Sequence, residues 1–252
     1  MSNPFDLTGK VALVTGGNVG LGQGIALALA EAGADIVSVA LSDSDDTVAQ
    51  VQAMGRRAHA VRADLTSIEP VERVLAEALQ AMGRVDILVN NAGLIRRADA
   101  VDFTEADWDL VMNINLKTVF FMSQAVARDF IKQGDGGKII NIASMLSFQG
   151  GIRVPSYTAS KSGVAGLTKL MANEWAPHGI TANAIAPGYF ATANTQALRE
   201  DPVRSAEILG RIPAGRWGQP SDLGGAAVFL ASRASDYVQG AILPVDGGWQ
   251  AR

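Results

Sequence analysis

The chain has 252 residues, no cysteine and a formal net charge of −4. Hydrophobic residues make up 48% of it and charged residues 18%, which excludes a disordered chain, and the acidic balance disfavours a nucleic-acid partner. Without cysteine there is no disulfide, thiolate nucleophile or cysteine-ligated zinc, and His59 and His178 lack metal-ligand spacing. No secretory signal or membrane span of roughly 18 apolar residues stands out, so we predict a cytoplasmic protein without a membrane or metal partner.

The first predicted unit is a strand, a glycine-rich turn and a helix. Residues 11–15 (VALVT) form a short β-rich run, and GGNVGLGQG and IALALAEAGA follow directly. Gly16, Gly20 and Gly22 have the spacing G-x-x-x-G-x-G rather than the better-known G-x-G-x-x-G. Glycine permits close approach to the backbone, and a helix N-terminus attracts phosphate. We therefore predict a pyrophosphate-binding turn, with an ordinary tight turn as the alternative.

An acidic cluster follows the second predicted strand. Residues 35–41 (DIVSVAL) form that strand, and a helix is predicted within 42–55. In a dinucleotide fold the end of this strand meets the adenosine ribose. The local acids are Asp43, Asp45 and Asp46, with no lysine or arginine among them to pair with a 2′-phosphate. This favours NAD over NADP, although the acids could instead cap the helix.

The third and fourth predicted strands also end in polar or glycine residues. Residues 57–62 end in ADL (63–65), and a helix is predicted over 67–82. Residues 87–90 form the next strand, which ends in NNAG (90–93). Because ligands of parallel sheets bind at the carboxyl ends of the strands, we predict that these residues face a crevice. An ordinary turn is the alternative.

The second half of the chain continues the alternation. Helices are predicted at 108–131, 157–176 and 222–232, and strands at 138–144, 181–186 and 241–245. Asn115 lies inside the first of these helices, so a buried side chain there would need hydrogen-bond partners. Regular alternation lapses at 189–219, which we predict to be a substrate lid. Strands alternating with helices predict an α/β fold, a doubly wound parallel sheet of about seven strands in a single domain, 1–252.

A serine, a tyrosine and a lysine lie around the start of the helix predicted at 157–176. Tyr157 and Lys161 are four residues apart and share a helix face. A neighbouring ammonium favours the phenolate and lowers the tyrosine pKa, and the Ser144 hydroxyl could hold a carbonyl or alcohol oxygen against the phenol. The pattern predicts proton transfer between a ketone and an alcohol. An exposed helix face explains Tyr-x-x-x-Lys equally well when it is taken alone.

Taken together, these motifs resemble the short-chain dehydrogenase/reductase family, in the family's order and over essentially the whole chain. The resemblance implies a Rossmann-like fold, a homotetramer and the catalytic residues Asn115, Ser144, Tyr157 and Lys161. Tyr157 would be the general acid/base, Lys161 would lower its pKa, Ser144 would orient the substrate oxygen, and Asn115 would hold a relay water. Implied cofactor-binding residues are Gly16, Asn18, Val19, Gly20, Gly22, Asp43, Asp64, Leu65, Asn91, Ala92, Gly93, Ile114, Tyr157, Lys161, Pro187, Gly188 and Thr192.

Five segments resemble members of this family that interconvert a C5 ketone and alcohol on deoxy-keto sugar acids in uronate breakdown. They are GLIRR, GGKIINIASMLSFQGGIRVPSYTASKSG, MANEWA, IPAGRWG and the terminal VDGGW. Alternatives are reduction of an alginate-derived uronate, oxidation of gluconate at C5, reduction of a 3-oxoacyl thioester, and a non-catalytic NAD-binding regulator. A keto acid carries a carboxylate, for which arginine offers a bidentate fork. The predicted substrate contacts are Ser144, Gln149, Arg153 and Arg96.

One position departs from the pattern of many NAD-dependent members. They carry an aspartate at the end of the second strand, where this chain has Ala40 followed by Leu41. The predicted preference for NAD over NADP therefore rests on missing basic residues, with Val19 in the glycine turn, more than on an acid that binds the ribose.

Overall fold

The computed structural model describes residues 3–251 and contains one sheet of seven strands, all paired in parallel, in the order β3-β2-β1-β4-β5-β6-β7. The strands are β1 (Val11–Thr15), β2 (Asp35–Ala40), β3 (Ala58–Arg62), β4 (Ile87–Asn90), β5 (Gly137–Ile142), β6 (Ile180–Pro187) and β7 (Ile242–Val245). The order changes direction between β1 and β4, where doubly wound sheets bind ligands. The predicted fold class is confirmed; residues 1, 2 and 252 lie outside the described range.

Helices cover both faces of the sheet. They are α1 (Gly20–Glu31), α2 (Asp45–Ala53), α3 (Val71–Met82), α4 (Glu105–Met112), α5 (Thr118–Gln133), α6 (Pro155–Trp175), α7 (Gln196–Glu200), α8 (Pro202–Arg211) and α9 (Gly224–Ala231). β1, β2, β4 and β6 are buried along their whole length, and their sequences are mainly apolar, as expected for a parallel sheet covered on both faces.

Two apolar cores lie on opposite faces of the sheet, and β1 contributes to both. Val11 and Leu13 pack with α3 and α5 in one core, whereas Ala12 and Val14 pack with α1 and α9 in the other. Successive side chains of a strand point to opposite faces, so this alternation fixes β1 at the centre of the sheet. The glycine turn that follows β1 is thereby held at the middle of the carboxyl edge.

Two predicted helices begin at different residues in the structure. The helix predicted from residue 67 begins at Val71, directly after Pro70. The helix predicted from residue 108 begins at Glu105, because the Thr104 hydroxyl accepts a hydrogen bond from Asp107 N and caps it. That helix also contains a π-helical turn, Asn113–Lys117, between α4 and α5. Such turns are rare and occur mainly at functional sites.

The run Glu105–Gln133 is long and apolar enough to cross a membrane by length and composition alone. Half of its apolar window is buried within the fold. Val119, Met122, Val126 and Phe130 on its α5 part are buried in the cores of the domain. The run is therefore accounted for as a core helix.

Candidate active site

A crevice of about 450 Å³ opens at the carboxyl edge of the sheet, beside β1 and β4. Most of the predicted cofactor-binding residues line it. They are Gly16, Asn18, Val19, Gly20, Gly22, Asp64, Leu65, Asn91, Ala92, Gly93, Ile114, Tyr157, Lys161 and Thr192. Three predicted cofactor-binding residues do not line this crevice: Asp43, Pro187 and Gly188.

The glycine turn packs so closely against its own neighbours that Gly16 and Gly22 have no space for a side chain. Gly16 and Gly20 have φ values of 63° and 58°, a left-handed conformation that glycine adopts without strain. A Cβ on Gly22 would overlap the Gly16 carbonyl oxygen. No side chain caps the α1 N-terminus at Val19. The first N–H groups of the helix are therefore available to bind a phosphate. The turn therefore fits the pyrophosphate of a dinucleotide.

Asn91 fixes the glycine turn from the next strand. Its Nδ2 donates to the carbonyl oxygens of Thr15 and Gly16 at 3.0 and 3.1 Å. The Thr15 hydroxyl accepts the backbone N–H groups of Asn91 and Ala92, both at 3.0 Å. The amide thus satisfies carbonyl groups that would otherwise lie unpaired at the end of β1. This gives Asn91 a structural role at the crevice in addition to its predicted cofactor contact.

Of the acids after β2, only Asp43 bonds the start of the following helix, so the alternative interpretation is confirmed in part. The Asp43 carboxylate accepts the Asp45 backbone N–H at 2.7 Å, and the Asp46 carboxylate accepts hydrogen bonds from two glutamine side chains. Asn18 Nδ2 donates to the Ser42 hydroxyl at 2.9 Å. A ribose entering this end of the crevice would therefore meet Asn18 and Ser42 before it met a carboxylate.

A basic side chain lies beside this end of the crevice, which the sequence analysis missed. The register of β2 and β3 pairs Ala40 with Arg62, and Arg62 Nε donates to the Leu41 carbonyl oxygen at 3.0 Å. Residues 41–46 themselves contain no lysine or arginine. The only available signal was the last residue of the third predicted strand, which parallel pairing brings next to the second.

Ser144, Tyr157 and Lys161 meet at the inner end of the crevice. The Ser144 side chain hydrogen-bonds the Tyr157 phenol, and Lys161 Nζ lies 5.7 Å from the centre of the Tyr157 ring. Pro155 begins α6, so Tyr157 is in the first turn and Lys161 lies one turn further on the same face. The spacing predicted from the sequence therefore produces a compact serine–tyrosine–lysine group.

The lowered phenol pKa predicted from the sequence is wrong for this structure. Burial raises the pKa of Tyr157, and the Ser144 hydrogen bond and the charge of Arg97 offset this only in part. By surface area the whole Tyr157 residue is half-buried, and burial of the phenol is the largest influence on its pKa. Lys161 Nζ donates to the Ile142 carbonyl at 2.6 Å, and burial lowers the pKa of Lys161 to about 8.

The loop after β5 is tied to α6 by hydrogen bonds. The Ser144 hydroxyl accepts the Leu146 N–H at 3.2 Å, and the Ser147 hydroxyl accepts the Ser144 N–H at 3.3 Å. Ser147 also donates to the Lys161 carbonyl at 2.6 Å. These bonds hold Ser144 in place relative to the helix that carries Tyr157 and Lys161.

Asn115 is fully buried on the π-helical turn, and its hydrogen-bond partners are present as predicted. Its Oδ1 accepts the Leu94 N–H at 2.9 Å, and its Nδ2 donates to the Leu94 carbonyl at 2.9 Å and to the Ser160 hydroxyl at 3.3 Å. The amide therefore joins the loop after β4 to α6, next to Lys161. Its part in a water relay stays a prediction.

The predicted substrate arginines are both in ion pairs with aspartates. Arg153 Nε lies 3.0 Å from Asp99 Oδ1, and Arg96 Nε lies 3.2 Å from Asp107 Oδ1. Arg153 also has a φ of 65°, the only positive value among the described residues other than glycine. The structure thus shows both arginines occupied by carboxylates, and their role as anchors for a substrate stays a prediction.

The structure adds Arg97 to the candidates. Its guanidinium lowers the pKa of the Tyr157 phenol and donates to the Asn194 carbonyl at 3.1 Å. Asn194 belongs to the 189–219 segment and lines the crevice. Arg97 stands next to the predicted contact Arg96 in the segment GLIRR. Nothing in this segment indicates which of the two side chains faces the site.

The 189–219 segment packs against the loop that follows Ser144. Met145 of that loop is buried with Ile208 and Ile212 of the segment and with Trp249. Trp249 Nε1 donates to Gln149 Oε1 at 3.4 Å, so the predicted substrate contact Gln149 is linked to the C-terminal segment. Within residues 3–251, histidine, aspartate and glutamate form no group of three that could hold a metal ion.

Comparison with known proteins identifies the relatives of this chain. A family model described as enoyl-(acyl carrier protein) reductase matches residues 16–250. The 2-dehydro-3-deoxy-D-gluconate 5-dehydrogenase of Escherichia coli K12 is 66% identical over 98% of both chains, and the gluconate 5-dehydrogenase of Gluconobacter oxydans is 44% identical over 98% of both. An Agrobacterium tumefaciens structure with bound NADP, named provisionally a 2-deoxy-D-gluconate 3-dehydrogenase, is 58% identical over 100% of both chains, with a TM-score of 0.94.

Proposed function

Because the chain belongs to the short-chain dehydrogenase/reductase family, we propose that it interconverts the C5 alcohol of 2-dehydro-3-deoxy-D-gluconate and the corresponding ketone, with NAD(H) as cofactor. The single observation that carries the chemistry is the group of Ser144, Tyr157 and Lys161, of which Tyr157 and Lys161 line the crevice. The substrate is supported by the name of the 66% identical relative and by the coverage of both chains almost from end to end.

Proton transfer in this proposal belongs to Tyr157. In the reducing direction its phenol donates a proton to the carbonyl oxygen, which the Ser144 hydroxyl holds, and the raised phenol pKa keeps that proton on the tyrosine beforehand. In the oxidising direction the phenolate takes the alcohol proton, and the Lys161 ammonium stabilises that phenolate. Asn115 is proposed to hold the relay water beside Lys161. General acid/base assistance of this kind contributes about 10²- to 10⁴-fold.

The cofactor is proposed to lie along the crevice, with its pyrophosphate on the turn of Gly16, Gly20 and Gly22. A bound nicotinamide dinucleotide would supply the hydride donor or acceptor. The α1 N-terminus, which no side chain caps, and the exposed glycine backbone beside it support a closely approaching phosphate. Tyr157 and Lys161, which line the crevice, would meet the nicotinamide ribose, while Asp64 and Leu65 would meet the adenine.

We propose NAD as the preferred form, with weaker use of NADP. Asp43, Asp45 and Asp46 would repel a 2′-phosphate at the end of β2, and Val19 offers no cation. Arg62, next to Leu41, opposes this preference, because an arginine can pair with a phosphate in two hydrogen bonds. Parallel kinetics with NADH and NADPH test the preference, and a higher kcat/KM with NADPH would overturn it.

The deciding experiment is NADH oxidation with a panel of carbonyl compounds. We expect the highest kcat/KM with 2,5-diketo-3-deoxygluconate. Faster turnover of 4-deoxy-L-erythro-5-hexoseulose uronate, of 5-keto-D-gluconate or of a 3-oxoacyl thioester would assign the chain to one of those substrates instead. The 44% identical gluconate 5-dehydrogenase makes 5-keto-D-gluconate the second candidate. Tight NADH binding without turnover of any of these would favour a regulatory protein.

The cellular location, the pathway and the oligomeric state of the enzyme are also part of the proposal. We propose a cytoplasmic enzyme of uronate and pectin breakdown, in which the 189–219 segment closes over the substrate of a single catalytic domain. A homotetramer is proposed as well, and the half-exposed side chains of Ile131 and Leu170 beside Trp175 supply an apolar surface for it. Sedimentation velocity tests the assembly, and a monomer at micromolar concentration would contradict it.

A further inference from the structure

The Ser147 hydroxyl bonds the backbone on both sides of the catalytic group. It accepts the Ser144 N–H at 3.3 Å and donates to the Lys161 carbonyl oxygen at 2.6 Å. A serine hydroxyl has one proton to donate and two lone pairs that accept, so both bonds form at the same time. Ser147 therefore joins the loop after β5 to α6 at the turn that carries Lys161.

These bonds close a ring of contacts through the catalytic group. The Ser144 side chain bonds the Tyr157 phenol, and Tyr157 lies one helical turn before Lys161 on α6. Ser147 then connects the Lys161 carbonyl to the Ser144 N–H. The helix thus fixes Tyr157 relative to Lys161, and Ser147 fixes Ser144 relative to Lys161. The position of the Ser144 hydroxyl at the phenol depends on both links.

The two elements that Ser147 joins differ in rigidity. α6 is a helix of 21 residues, and its own backbone hydrogen bonds hold Lys161 whether or not the carbonyl accepts a further bond. Lys161 Nζ also bonds the Ile142 carbonyl at the end of β5. Residues Met145–Ser147, in contrast, form a single 3₁₀ turn, and a helix this short is not stable by itself. Without the Ser147 hydroxyl, the turn therefore moves and the helix stays.

The same turn orients the Ser144 hydroxyl. Ser144 caps the turn, because its Oγ accepts the Leu146 N–H at 3.2 Å and its carbonyl oxygen accepts the Ser147 N–H at 2.9 Å. Ser144 is buried, so removal of the Ser147 hydroxyl leaves a buried N–H without its acceptor, which is unfavourable. A turn that rearranges to pair this N–H again displaces the Ser144 hydroxyl.

We propose that Ser147 is a positioning residue of the reaction, which holds the Ser144 hydroxyl at the Tyr157 phenol and acts on proton transfer through Ser144. The inference rests on the proposed function for the reaction in which its effect is measured. Both bonds of the Ser147 hydroxyl go to the backbone, so Ser147 itself is not a catalytic residue.

Two variants at this position test the proposal. Ser147→Ala removes the hydroxyl, and Ser147→Thr retains it. The Ser144 hydrogen bond lowers the pKa of Tyr157, so its loss raises that pKa further. Because oxidation of 2-dehydro-3-deoxy-D-gluconate needs the phenolate, the pH at which kcat/KM rises should shift upward in S147A, by about 0.5–1 pH unit for one hydrogen bond. We also expect kcat to fall about 10- to 100-fold, and S147T should restore both values towards wild type.

Two other charged groups act near the phenol. They are the Lys161 ammonium, 5.7 Å from the centre of the Tyr157 ring, and the Arg97 guanidinium in the loop after β4. The bond from Ser147 to Lys161 goes to the backbone carbonyl and not to the ammonium. A shift of the pH profile in S147A therefore reports the displacement of Ser144.

Ser162→Ala is the matched control. The Ser162 hydroxyl donates to the Leu146 carbonyl at 3.2 Å, so it also joins the 3₁₀ turn to α6, but its bond does not involve Ser144. S162A should keep the wild-type pH profile and a kcat within about twofold of wild type. An equal shift of the pH profile in S162A and S147A would overturn the proposal, since it would mean that any loosening of the turn has this effect.

A double-mutant cycle tests whether Ser147 acts through Ser144. Ser144→Ala removes the hydroxyl that Ser147 is proposed to position. In the residual activity of that variant, adding S147A should leave the pH at which kcat/KM rises unchanged, because the two changes remove the same interaction. The same upward shift in both backgrounds would overturn the proposal, as would an S147A profile identical to that of wild type.

Crystal structures of the variants separate this inference from the proposed function. We expect the Ser144 hydroxyl to be displaced from the Tyr157 phenol in S147A and to keep that bond in S162A. If wild type turns over no C5 alcohol or ketone but the hydroxyl is displaced in S147A alone, then the proposed reaction fails and the positioning of Ser144 by Ser147 stands. If wild type is active and the hydroxyl keeps its place in S147A, then the reaction stands and the assignment of Ser147 fails.

Discussion

Replacing Lys161 with methionine should remove a pH-dependent part of the protein's stability while abolishing its proposed activity. Burial lowers the pKa of this lysine from 10.5 to about 8. Below about pH 8 the folded protein must keep a desolvated ammonium, which costs about 3 kcal/mol relative to the unfolded chain, at about 1.4 kcal/mol per pH unit. Between about pH 8 and 10.5 the folded protein releases this proton while the unfolded chain retains it, so the cost disappears and wild-type stability rises.

The measurement is the free energy of unfolding in urea, without cofactor, from about pH 7 to about pH 10. The Ile142 carbonyl, which Lys161 Nζ now bonds at 2.6 Å, loses its donor in K161M, and this costs about 1–3 kcal/mol at every pH. That loss lowers the K161M curve by a constant amount and does not change how its separation from the wild-type curve depends on pH. We therefore expect the difference, wild type minus K161M, to be constant below about pH 8 and to grow by about 2–3 kcal/mol by about pH 10.

Lys169→Met is the matched control, because Lys169 is exposed two turns further along α6. Its unfolding free energy should follow wild type at a constant difference across the same range. A constant difference between wild type and K161M from about pH 7 to about pH 10 would refute the reasoning. It would mean that the buried ammonium is compensated by its carbonyl partner and titrates as it does in the unfolded chain.

Three further predictions concern the crevice. Tyr157→Phe should lower kcat about 10²- to 10⁴-fold while the calorimetric Kd for NADH changes less than about threefold; a retained rate would mean that another group transfers the proton. Gly22→Ala should abolish NADH binding, because the added methyl group overlaps the Gly16 carbonyl, whereas Gly225→Ala, where the added methyl group meets open space, should bind NADH normally. Arg62→Gln should weaken binding of 2′,5′-ADP about tenfold and leave 5′-AMP unchanged; equal effects on both would mean that Arg62 does not reach the 2′-phosphate.

The sheet could be predicted from the sequence because its strands are buried on both faces. The central strands give mainly apolar runs, and helices with turn residues separate them, so element type and order follow from local pattern. The π-helical turn Asn113–Lys117 could not be predicted in this way. The apolar pattern of the sequence continues through this turn and does not reveal it. Asn115 takes its position from hydrogen bonds with Leu94 and Ser160, which lie 21 and 45 residues away in the sequence.

The candidate site was predictable where spacing alone places residues together. Tyr157 and Lys161 are four residues apart on one helix and therefore share a face, so their proximity follows from the sequence alone. The direction of the tyrosine pKa does not, because it depends on how deeply the rest of the fold buries the phenol. Arg62 was missed because strand register, rather than local sequence, brings it next to Leu41 at the crevice.

The bonds from Asn91 to the glycine turn have a consequence for the order of folding. β1, β2 and β3 are neighbours in sequence and can pair early. The Thr15 and Gly16 carbonyls, however, accept hydrogen bonds from the Asn91 amide, about 75 residues further along the chain. On the ribosome the phosphate turn therefore stays unfinished until β4 has emerged and entered the sheet beside β1. A dinucleotide bound at this turn would therefore stabilise only chains in which β4 has already paired with β1. It would not stabilise a sheet made of the first three strands alone.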